Sequence, residues 1–489
     1  MDHSQAPVLD ALAAYHADGQ LPFTPPGHKQ GRGADPRVRA VLGDAVFASD
    51  VLAVAGLDDR TSSGHVLEHA QELMADAVGA DHTFFSTCGS SLSVKAAMLS
   101  VAGPHEKLLV GRDAHKSVIS GLILAGIRPM WVDPQWDARR HLAHPPSPAA
   151  YARMLDEHPD ARGALVTSPT PYGTCADLAA IAEVCHDHGV PLIVDEAWGA
   201  HLPFHPDLPA WAMNAGADVC VTSVHKMGSG LEQGSVFHLR GDRVGPDTLQ
   251  SRADLLGTTS PSVLIYAGLD GWRRQMAEEG RRLLDGALAL SRRVRGQLAA
   301  IDGLHVNDRD DFCGPGLGHD MDPLQVFVEL DGLKISGYAA ADWLRAHHRV
   351  NLHVADHRRA SAQLTYADDA GSADRLVEAF ADLAAHAEEL RPTAEVDLPD
   401  PAELRLEQVM LPRDAFFGRI EQVPVEQAEG RLAAEVLTPY PPGIAAALPG
   451  ERLNAAVLDY LRSGVKAGMV VPDAADPEAA SIRVVADEP

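Results

Sequence analysis

The sequence predicts an α/β fold in which helices cover both faces of a mainly parallel central sheet. The first observation is a series of short apolar runs between residues 65 and 240, separated by amphipathic stretches. The predicted strands are 82–87, 107–111, 128–132, 163–167, 191–195 and 218–223. Strands that alternate with helices pair in parallel and are buried on both faces, which accounts for their continuous apolar character.

The second observation is helical periodicity between these strands. Residues 177–188 carry apolar side chains at helical spacing, and Gly189 follows as the expected terminator. Residues 92–101 form another predicted helix, which follows a run of small polar residues at 87–91. Together, the strands and helices indicate a layered large domain.

The third observation is a change of pattern towards the C-terminus, where a long charged helix precedes a smaller α+β part. The predicted elements are a helix at 270–302, strands at 324–330 and 361–366, and a helix at 374–390. We therefore predict four segments. They are an N-terminal arm with short helices (1–60), a large domain (61–275), a linking helix with a small α+β domain (276–395), and a C-terminal domain (396–489).

Composition excludes several classes of partner. The chain has 41 Lys and Arg against 68 Asp and Glu, a net charge of −27. Nucleic acids and anionic membranes bind proteins with surplus positive charge, so neither is expected as a partner. The five cysteines lack CxxC spacing, which favours a reducing compartment over a disulfide framework or a metal site. With no signal-peptide pattern and no apolar run near ~20 residues, we expect a cytoplasmic protein.

The ends of the predicted strands carry the candidate chemistry, because ligands of such sheets bind at the carboxyl ends of the strands. Lys226 follows the strand at 218–223, with Ser223 and His225 beside it. A lysine amine condenses with an aldehyde cofactor when burial or nearby charge lowers its pKa. A serine and a histidine beside it could donate hydrogen bonds to a phosphate group. Alone, this short pattern is much more typical of a solvated lysine after a strand than of a cofactor site.

A second group follows the strand at 191–195. Asp195 closes that strand, and Trp198 lies three residues further on. A carboxylate at this place could pair with the nitrogen of a pyridine ring and keep it protonated, so that the ring accepts electrons. The simpler interpretation of Asp195 is an acid that caps a turn. Trp198 could pack beside the cofactor ring or simply fill the core.

Two further groups complete the pattern. Ser90 and Ser91 lie where a strand gives way to a helix, and a helix N-terminus with hydroxyl groups can cradle a phosphate; plain N-capping is the simpler use of such serines. His115 follows the strand at 107–111 and could stack on a cofactor ring. The order of phosphate cradle, ring stacker, pyridine partner and lysine is that of fold type I pyridoxal-phosphate (PLP) enzymes. PLP is therefore the predicted cofactor, and no metal is expected.

Longer stretches identify a narrower resemblance. The matching stretches are PPGHKQGRG (25–33), AGLDD (55–59), GADHTFF (79–85), RDAHKSV (112–118), SPTPYG (168–173), GVPLIVDEAWGAH (189–201), SVHK (223–226), TTSPS (258–262) and TPYPPGI…PGE (438–451). In their order and spacing, these stretches resemble the bacterial Orn/Lys/Arg decarboxylases, which have the aminotransferase-like fold. The chain resembles the short form of that family, which lacks an N-terminal wing domain.

The resemblance implies the PLP-dependent decarboxylation of L-arginine, L-lysine or L-ornithine to an amine and CO₂, as in polyamine biosynthesis. It implies that Lys226 is the Schiff-base lysine, Asp195 the pyridine partner and His115 the ring stacker. The implied phosphate ligands are Ser90, Ser91, Ser223 and His225. Thr259 and Ser260 would reach the site of a neighbouring subunit, which implies a homodimer with shared active sites and leaves larger assemblies open.

Substrate identity stays open at the sequence level. Glu451 and Asp356 are candidates for binding a cationic substrate tail. The alternative for both is surface charge, and it is the favoured interpretation for Asp356. Three features depart from the short form of the family: Trp198, the Thr-Cys-Gly-Ser-Ser run at 87–91, and His353 at a place where an acid is common.

Two alternatives remain at this stage. Another fold type I enzyme, an aminotransferase or a lyase, would share Lys226 and Asp195, and an aminotransferase would bind the substrate carboxylate through an arginine such as Arg358 or Arg359. A PLP-sensing regulator would need a DNA-binding module and a basic surface. The strongly acidic composition disfavours that second alternative.

Overall fold

The computed structural model describes residues 1–53, 57, 64–390, 395–440 and 443–486. Of the AGLDD stretch, only Leu57 lies within the described residues. The helices are α1 (Pro7–Asp18), α2 (Pro36–Leu42), α3 (Asp44–Ser49), α4 (Val66–Val78), α5 (Ser90–Val101), α6 (Lys116–Ala125), α7 (Pro148–Glu157), α8 (Leu178–Asp187), α9 (Val224–Met227), α10 (Pro246–Leu256), α11 (Val263–Ala299), α12 (Arg309–Phe312), α13 (Gly337–His348), α14 (Ala370–Ala385), α15 (Pro412–Phe417) and α16 (Ala455–Ala467).

The strands follow the same chain order. They are β1 (His82–Ser86), β2 (Lys107–Gly111), β3 (Arg128–Val132), β4 (Gln135–Asp137), β5 (Leu142–His144), β6 (Ala164–Thr167), β7 (Thr174–Cys175), β8 (Leu192–Asp195), β9 (Val219–Ser223), β10 (Ser235–Leu239), β11 (His305–Val306), β12 (Asp320–Met321), β13 (Gln325–Glu329), β14 (Val354–Ala355), β15 (Arg359–Gln363), β16 (Ile420–Pro424) and β17 (Ser481–Val485).

The chain forms two compact units, each built from two separate stretches. Unit 1 contains residues 1–101 and 191–283, and unit 2 contains residues 102–190 and 284–489. In unit 1 the strand order is β1-β10-β9-β8. Strands β8 and β9 are parallel, whereas β10 runs antiparallel to both β9 and β1. Helix α5 packs on β9 and β10, and α10 packs on α5.

Unit 2 contains a parallel group of strands and a separate antiparallel sheet. Strand β2 pairs in parallel with β3 and with β6. The antiparallel sheet has the order β11-β13-β15-β14. Its inner face packs against α13 and α14, where Leu344 and Phe380 are completely buried. This sheet and its two helices form the predicted small α+β part.

The C-terminal residues of unit 2 have a core of their own. Strands β16 and β17 pair in antiparallel fashion, and their Val423 and Val484 pack against Val457 and Leu461 of α16. Isolated bridges join His115 to Ile444 and Leu437 to Ala447. The first bridge brings the segment after residue 438 onto the predicted ring stacker.

The structure confirms the six predicted strands to within one residue at each end, and it adds a strand that the sequence pattern missed. Strand β10 interrupts the alternation of strand and helix, because it returns antiparallel directly after the lysine segment. The sheet of unit 1 is therefore mixed. No helix within the described ranges is long and apolar enough to cross a membrane, and no group of three or more His, Cys, Asp or Glu residues there could hold a metal ion.

Candidate active site

Lys226 lies on the single helical turn α9, which begins directly after β9 and ends at its C-cap, Gly228. The backbone N–H groups of Val224 and His225 both donate to the carbonyl oxygen of Gly234, at 3.0 and 3.4 Å. A Cβ atom at Gly228 would lie 2.7 Å from the Trp272 ring, so a larger residue does not fit there. The turn that carries the lysine is thus fixed from both sides.

The amine of Lys226 faces an aromatic ring and a buried acid. Its Nζ lies 3.9 Å from the centroid of the Trp198 ring, a cation–π distance. Burial lowers the pKa of Lys226 to about 8, while Asp195 and Glu232 oppose that shift. A larger fraction of the amine is therefore neutral near pH 7 than for a solvated lysine, as a nucleophile requires.

Asp195 closes β8 at the same end of the sheet. Its side chain is buried, and its Oδ1 accepts from the backbone N–H of Ala197 at 3.3 Å. Burial raises the pKa of Asp195, and the charge of Lys226 opposes that change. The parallel register places Asp195 opposite Val221, so the acid and the lysine follow neighbouring strands.

Two serines meet where α5 begins. The hydroxyl of Ser223 donates to Oγ of Ser90 at 2.7 Å. Gly89, directly before the helix, has φ +74° and donates to the carbonyl oxygen of Gln233 at 2.9 Å. Glycine adopts this positive φ without steric cost, so Gly89 allows the chain to turn sharply into α5. Two hydroxyls beside a helix N-terminus match the requirements of a phosphate group.

The other predicted residues of unit 1 take different positions. Ser91, Thr259 and Ser260 are exposed. His225 forms a hydrogen bond between its Nδ1 and the carbonyl oxygen of Gly234 at 3.0 Å, so one ring nitrogen is already engaged. Of the predicted phosphate ligands, Ser90 and Ser223 are thus the pair that the structure brings into contact.

The residues of unit 1 fit PLP. A half-buried amine of lowered pKa suits the aldehyde, a buried carboxylate suits the pyridine nitrogen, and the Ser90–Ser223 pair suits the phosphate. Trp198 offers a flat face beside the lysine.

Unit 2 contains His115 within a second polar cluster. His115 is the N-cap of α6, and its Nδ1 accepts from the backbone N–H of Ser117 at 3.2 Å. A Cβ atom at Gly443 would lie 3.4 Å from the His115 ring and 3.5 Å from the Tyr440 ring. The positive φ of Gly443, +91°, lets the backbone pass this close.

Glu451 is completely buried in this cluster rather than on the surface. Its Oε2 pairs with the guanidinium of Arg112 at 3.2 Å and accepts from the backbone N–H of Leu448 at 2.8 Å. Its Oε1 is buried without a hydrogen-bond partner among the described residues. Burial raises the pKa of Glu451, and Arg112 opposes that shift.

Asp356 is also buried, and it is fully engaged. One oxygen accepts from the backbone N–H groups of Arg358 and Arg359, both at 2.8 Å, and the other pairs with the Arg359 guanidinium at 3.0 Å. Burial would raise the pKa of Asp356, but Arg359 and these hydrogen bonds hold it below the ordinary value. His353 is half-buried, and its backbone N–H donates to the carbonyl oxygen of Ser361.

Sequence reasoning missed four residues of these clusters. Glu196 and Cys220 are completely buried in unit 1, and Arg112 and Tyr440 lie in unit 2. Glu196, Arg112 and Tyr440 belong to stretches that carry the family resemblance, and this membership could have identified them as candidates. Cys220 had no such signal, because a cysteine within an apolar strand has the pattern of core.

Sequence comparisons with known proteins give matches that together cover most of the chain. A family model described as Orn/Lys/Arg decarboxylase, major domain, matches residues 6–310, and the C-terminal domain of the same description matches residues 402–473. The arginine decarboxylase of Halalkalibacterium halodurans is 37% identical, with 98% of each chain covered. The arginine decarboxylase of Bacillus subtilis is 35% identical, with 100% of this chain and 99% of that protein covered.

Solved structures show the same fold. The lysine decarboxylase of Francisella novicida superposes with a TM-score of 0.82 at 18% identity, covering 98% of this chain and 79% of that chain. A structure described as SPT with PLP superposes with a TM-score of 0.54 at 16% identity, covering 73% of this chain and 85% of that chain. The predicted aminotransferase-like fold is thereby confirmed.

Asp113 generates a prediction about pH. It lies two residues before His115, it is buried, and its carboxyl oxygens have no hydrogen-bond partner among the described residues. Burial raises its pKa from 3.8 to about 7. Between these values the folded chain keeps a proton that the unfolded chain has lost, so the free energy of unfolding falls as pH rises through this window.

We expect Asp113→Asn to remove this fall. Thermal unfolding measured from pH 5 to pH 8 should show the variant gaining stability relative to the parent as pH rises, by at most about 3 kcal/mol, because about two pH units separate pH 5 from the pKa of Asp113. Asp302→Asn, at an exposed position, makes the same change of charge as a control. A difference between Asp113→Asn and the parent that does not depend on pH would contradict a buried neutral acid.

Proposed function

The chain belongs to the Orn/Lys/Arg decarboxylase family, whose members act on basic amino acids, and we propose that it is a PLP-dependent decarboxylase of L-arginine. The cluster in unit 1 carries the proposal. Lys226, Asp195, Ser90 and Ser223 together supply the groups that PLP needs, all at the ends of adjacent strands or the start of the neighbouring helix. The SPT structure with PLP, which shares the fold, supports the choice of cofactor.

Each residue of unit 1 then has a chemical role. Lys226 would hold the aldehyde of the cofactor through its amine, and its lowered pKa would make that amine available as a nucleophile. When bound, PLP supplies an electron sink for the bond that releases CO₂. Asp195 would keep the pyridine nitrogen protonated, and Ser90 with Ser223 would hold the phosphate. The amine of Lys226 would also be the group that returns a proton to the substrate.

Two lines support arginine as the substrate. Four relatives named arginine decarboxylase are 35–37% identical over 92–100% of this chain. In addition, Glu451 offers a buried oxygen that accepts no hydrogen bond from the described residues, which suits a cationic tail. The oxygens of Asp356 are already used by Arg359 and the backbone, so we assign tail binding to Glu451.

The assembly and location are further parts of the proposal. Helix α2 buries none of its side chains within this chain, and Phe23 and Val41 are 89% and 82% exposed. Large exposed apolar side chains of this kind support a homodimer in which the N-terminal arm is covered. The exposed loop with Thr259 and Ser260 is free to enter the neighbouring site. The five described cysteines form no disulfide, which supports the cytoplasm as the location.

The aminotransferase alternative has less support. Arg359 lies over the ring of Tyr172 and pairs with Asp356, and Arg358 pairs with Asp331. Both arginines that could bind a substrate carboxylate therefore already have acidic partners.

Lys226→Ala and Asp195→Asn test the unit 1 assignments by separating cofactor binding from turnover. We expect Lys226→Ala to lose both the visible absorbance of lysine-bound PLP and amine production, because no covalent link forms. Asp195→Asn should keep the absorbance and lower kcat by about 10²-fold or more, because the electron sink is weakened. Absorbance spectra and amine product by mass spectrometry measure both effects.

Lys334→Ala, at an exposed lysine of unit 2, is the matched control and should behave as the parent does. Retained absorbance together with turnover in Lys226→Ala would remove the lysine from its role. Near-normal kcat in Asp195→Asn would do the same for the aspartate.

Glu451→Gln tests charge recognition. We expect kcat/KM for L-arginine to fall by roughly 10²-fold, because a desolvated charge pair is worth about 2–5 kcal/mol. Turnover of L-citrulline, the uncharged analogue, should change far less. Equal losses on both substrates would mean that Glu451 serves only to neutralise Arg112.

A further inference from the structure

Glu196 follows Asp195 directly and is completely buried in unit 1. Its Oε2 accepts from the backbone N–H of Ala212 at 3.3 Å and from the thiol of Cys220 at 3.2 Å. Its Oε1 is buried without a hydrogen-bond partner among the described residues. The proposed mechanism gives this carboxyl no task, although it adjoins the pyridine partner.

The carboxyl of Glu196 lies beneath a tight turn. The backbone N–H of Glu196 donates to the carbonyl oxygen of Val221 at 2.9 Å, and that of Gly199 donates to the carbonyl oxygen of Glu196 at 2.8 Å. A Cβ atom at Gly199 would lie 2.3 Å from Cγ of Glu196, so the turn is closed directly onto this side chain. The same turn carries Trp198, whose ring lies over the amine of Lys226.

The surroundings of Glu196 favour its neutral form. The titratable groups that act on it are Cys220, from β9, and Asp195, at the end of β8, and the segment at Ala212 contributes only a backbone N–H. None of these is a cation. Burial raises the pKa of both Glu196 and Cys220 well above their ordinary values. An ionised carboxylate with two weak donors in such a place would be strongly unfavourable.

We propose that Glu196 is a positioning residue that works as a neutral acid. It holds the turn of residues 196–199 so that Trp198 stays over Lys226, and it adds no second negative charge next to Asp195. The second part matters because a like charge beside Asp195 would favour protonation of that aspartate. A protonated Asp195 would no longer stabilise a pyridinium. This role rests on the proposed function, whereas the neutral state of Glu196 does not.

The first experiment uses the protein without cofactor and measures thermal unfolding of Glu196→Gln and the parent from pH 5 to pH 8. A buried acid that stays protonated costs stability as pH rises above the pKa of the unfolded chain, and glutamine does not. We expect the unfolding temperature of Glu196→Gln to rise relative to the parent as pH increases. Glu183→Gln, at an exposed position, should show no such trend. A trend of the opposite sign, or none, would overturn the neutral state.

The second experiment loads PLP and compares Glu196→Ala with Glu196→Gln. Alanine should shift the pH at which the visible absorbance of lysine-bound PLP titrates, and lower kcat more than it changes KM. Glutamine, which keeps the shape without a charge, should restore both properties. Equal defects in the two variants would show that the charge of Glu196 is needed. Parent-like titration and kcat in Glu196→Ala would show that the turn does not depend on this side chain. Either result overturns the proposal.

The two experiments separate the possible failures. If the parent binds no PLP, the proposed function fails, and the pH series still decides the protonation state of Glu196. If Glu196→Ala does not accumulate as folded protein, Glu196→Gln decides alone. A titration like that of the parent supports the neutral acid, and a displaced titration overturns it.

Discussion

The parallel pairing of β8 with β9 is the constraint on which the candidate site depends. It places Asp195 and Lys226 at the same end of neighbouring strands, one buried and one half-buried. Burial alone would neutralise both groups, and their opposite charges resist that change. Burial therefore makes ionisation of Asp195 harder and proton loss from Lys226 easier, and the attraction between the two charges limits both changes. An ionised acid and a neutral amine are both needed for an aldehyde cofactor that works through a protonated ring.

Three other buried acids differ in their surroundings. Two of them pair with an arginine, and the third has no cation beside it among the described residues. Glu451 pairs with Arg112, and Asp356 pairs with Arg359. Buried pairs of this kind add little stability relative to apolar packing, so their presence points to recognition or orientation. Glu196 has no such cation among the groups that act on it, and burial raises its pKa well above the ordinary value. The pKa values of these buried acids therefore shift in different directions, because the groups that surround each acid differ.

Much of this architecture was predictable because strands buried on both faces leave short apolar runs in the sequence. The six runs and the residues after them located Lys226, Asp195 and Ser90 correctly within the fold. Strand β10 was missed because only the single turn of α9 and a short loop separate it from β9, so the alternation of strands with long helices does not predict it. Burial of Glu451 and the contact of Cys220 with Glu196 were beyond sequence reasoning, because they depend on segments that meet only through folding. The sequence identified most of the ionisable groups, whereas the shifts in their pKa values come from packing in the folded chain.

The most direct test of the central claim is product analysis of the PLP-loaded protein given L-arginine, L-lysine and L-ornithine separately. Mass spectrometry would follow CO₂ and the amine product in each reaction. The account predicts agmatine and CO₂ from L-arginine, with slower or no amine formation from the other two amino acids. A keto acid in place of an amine, or no product from any of the three while PLP remains bound to Lys226, would contradict it.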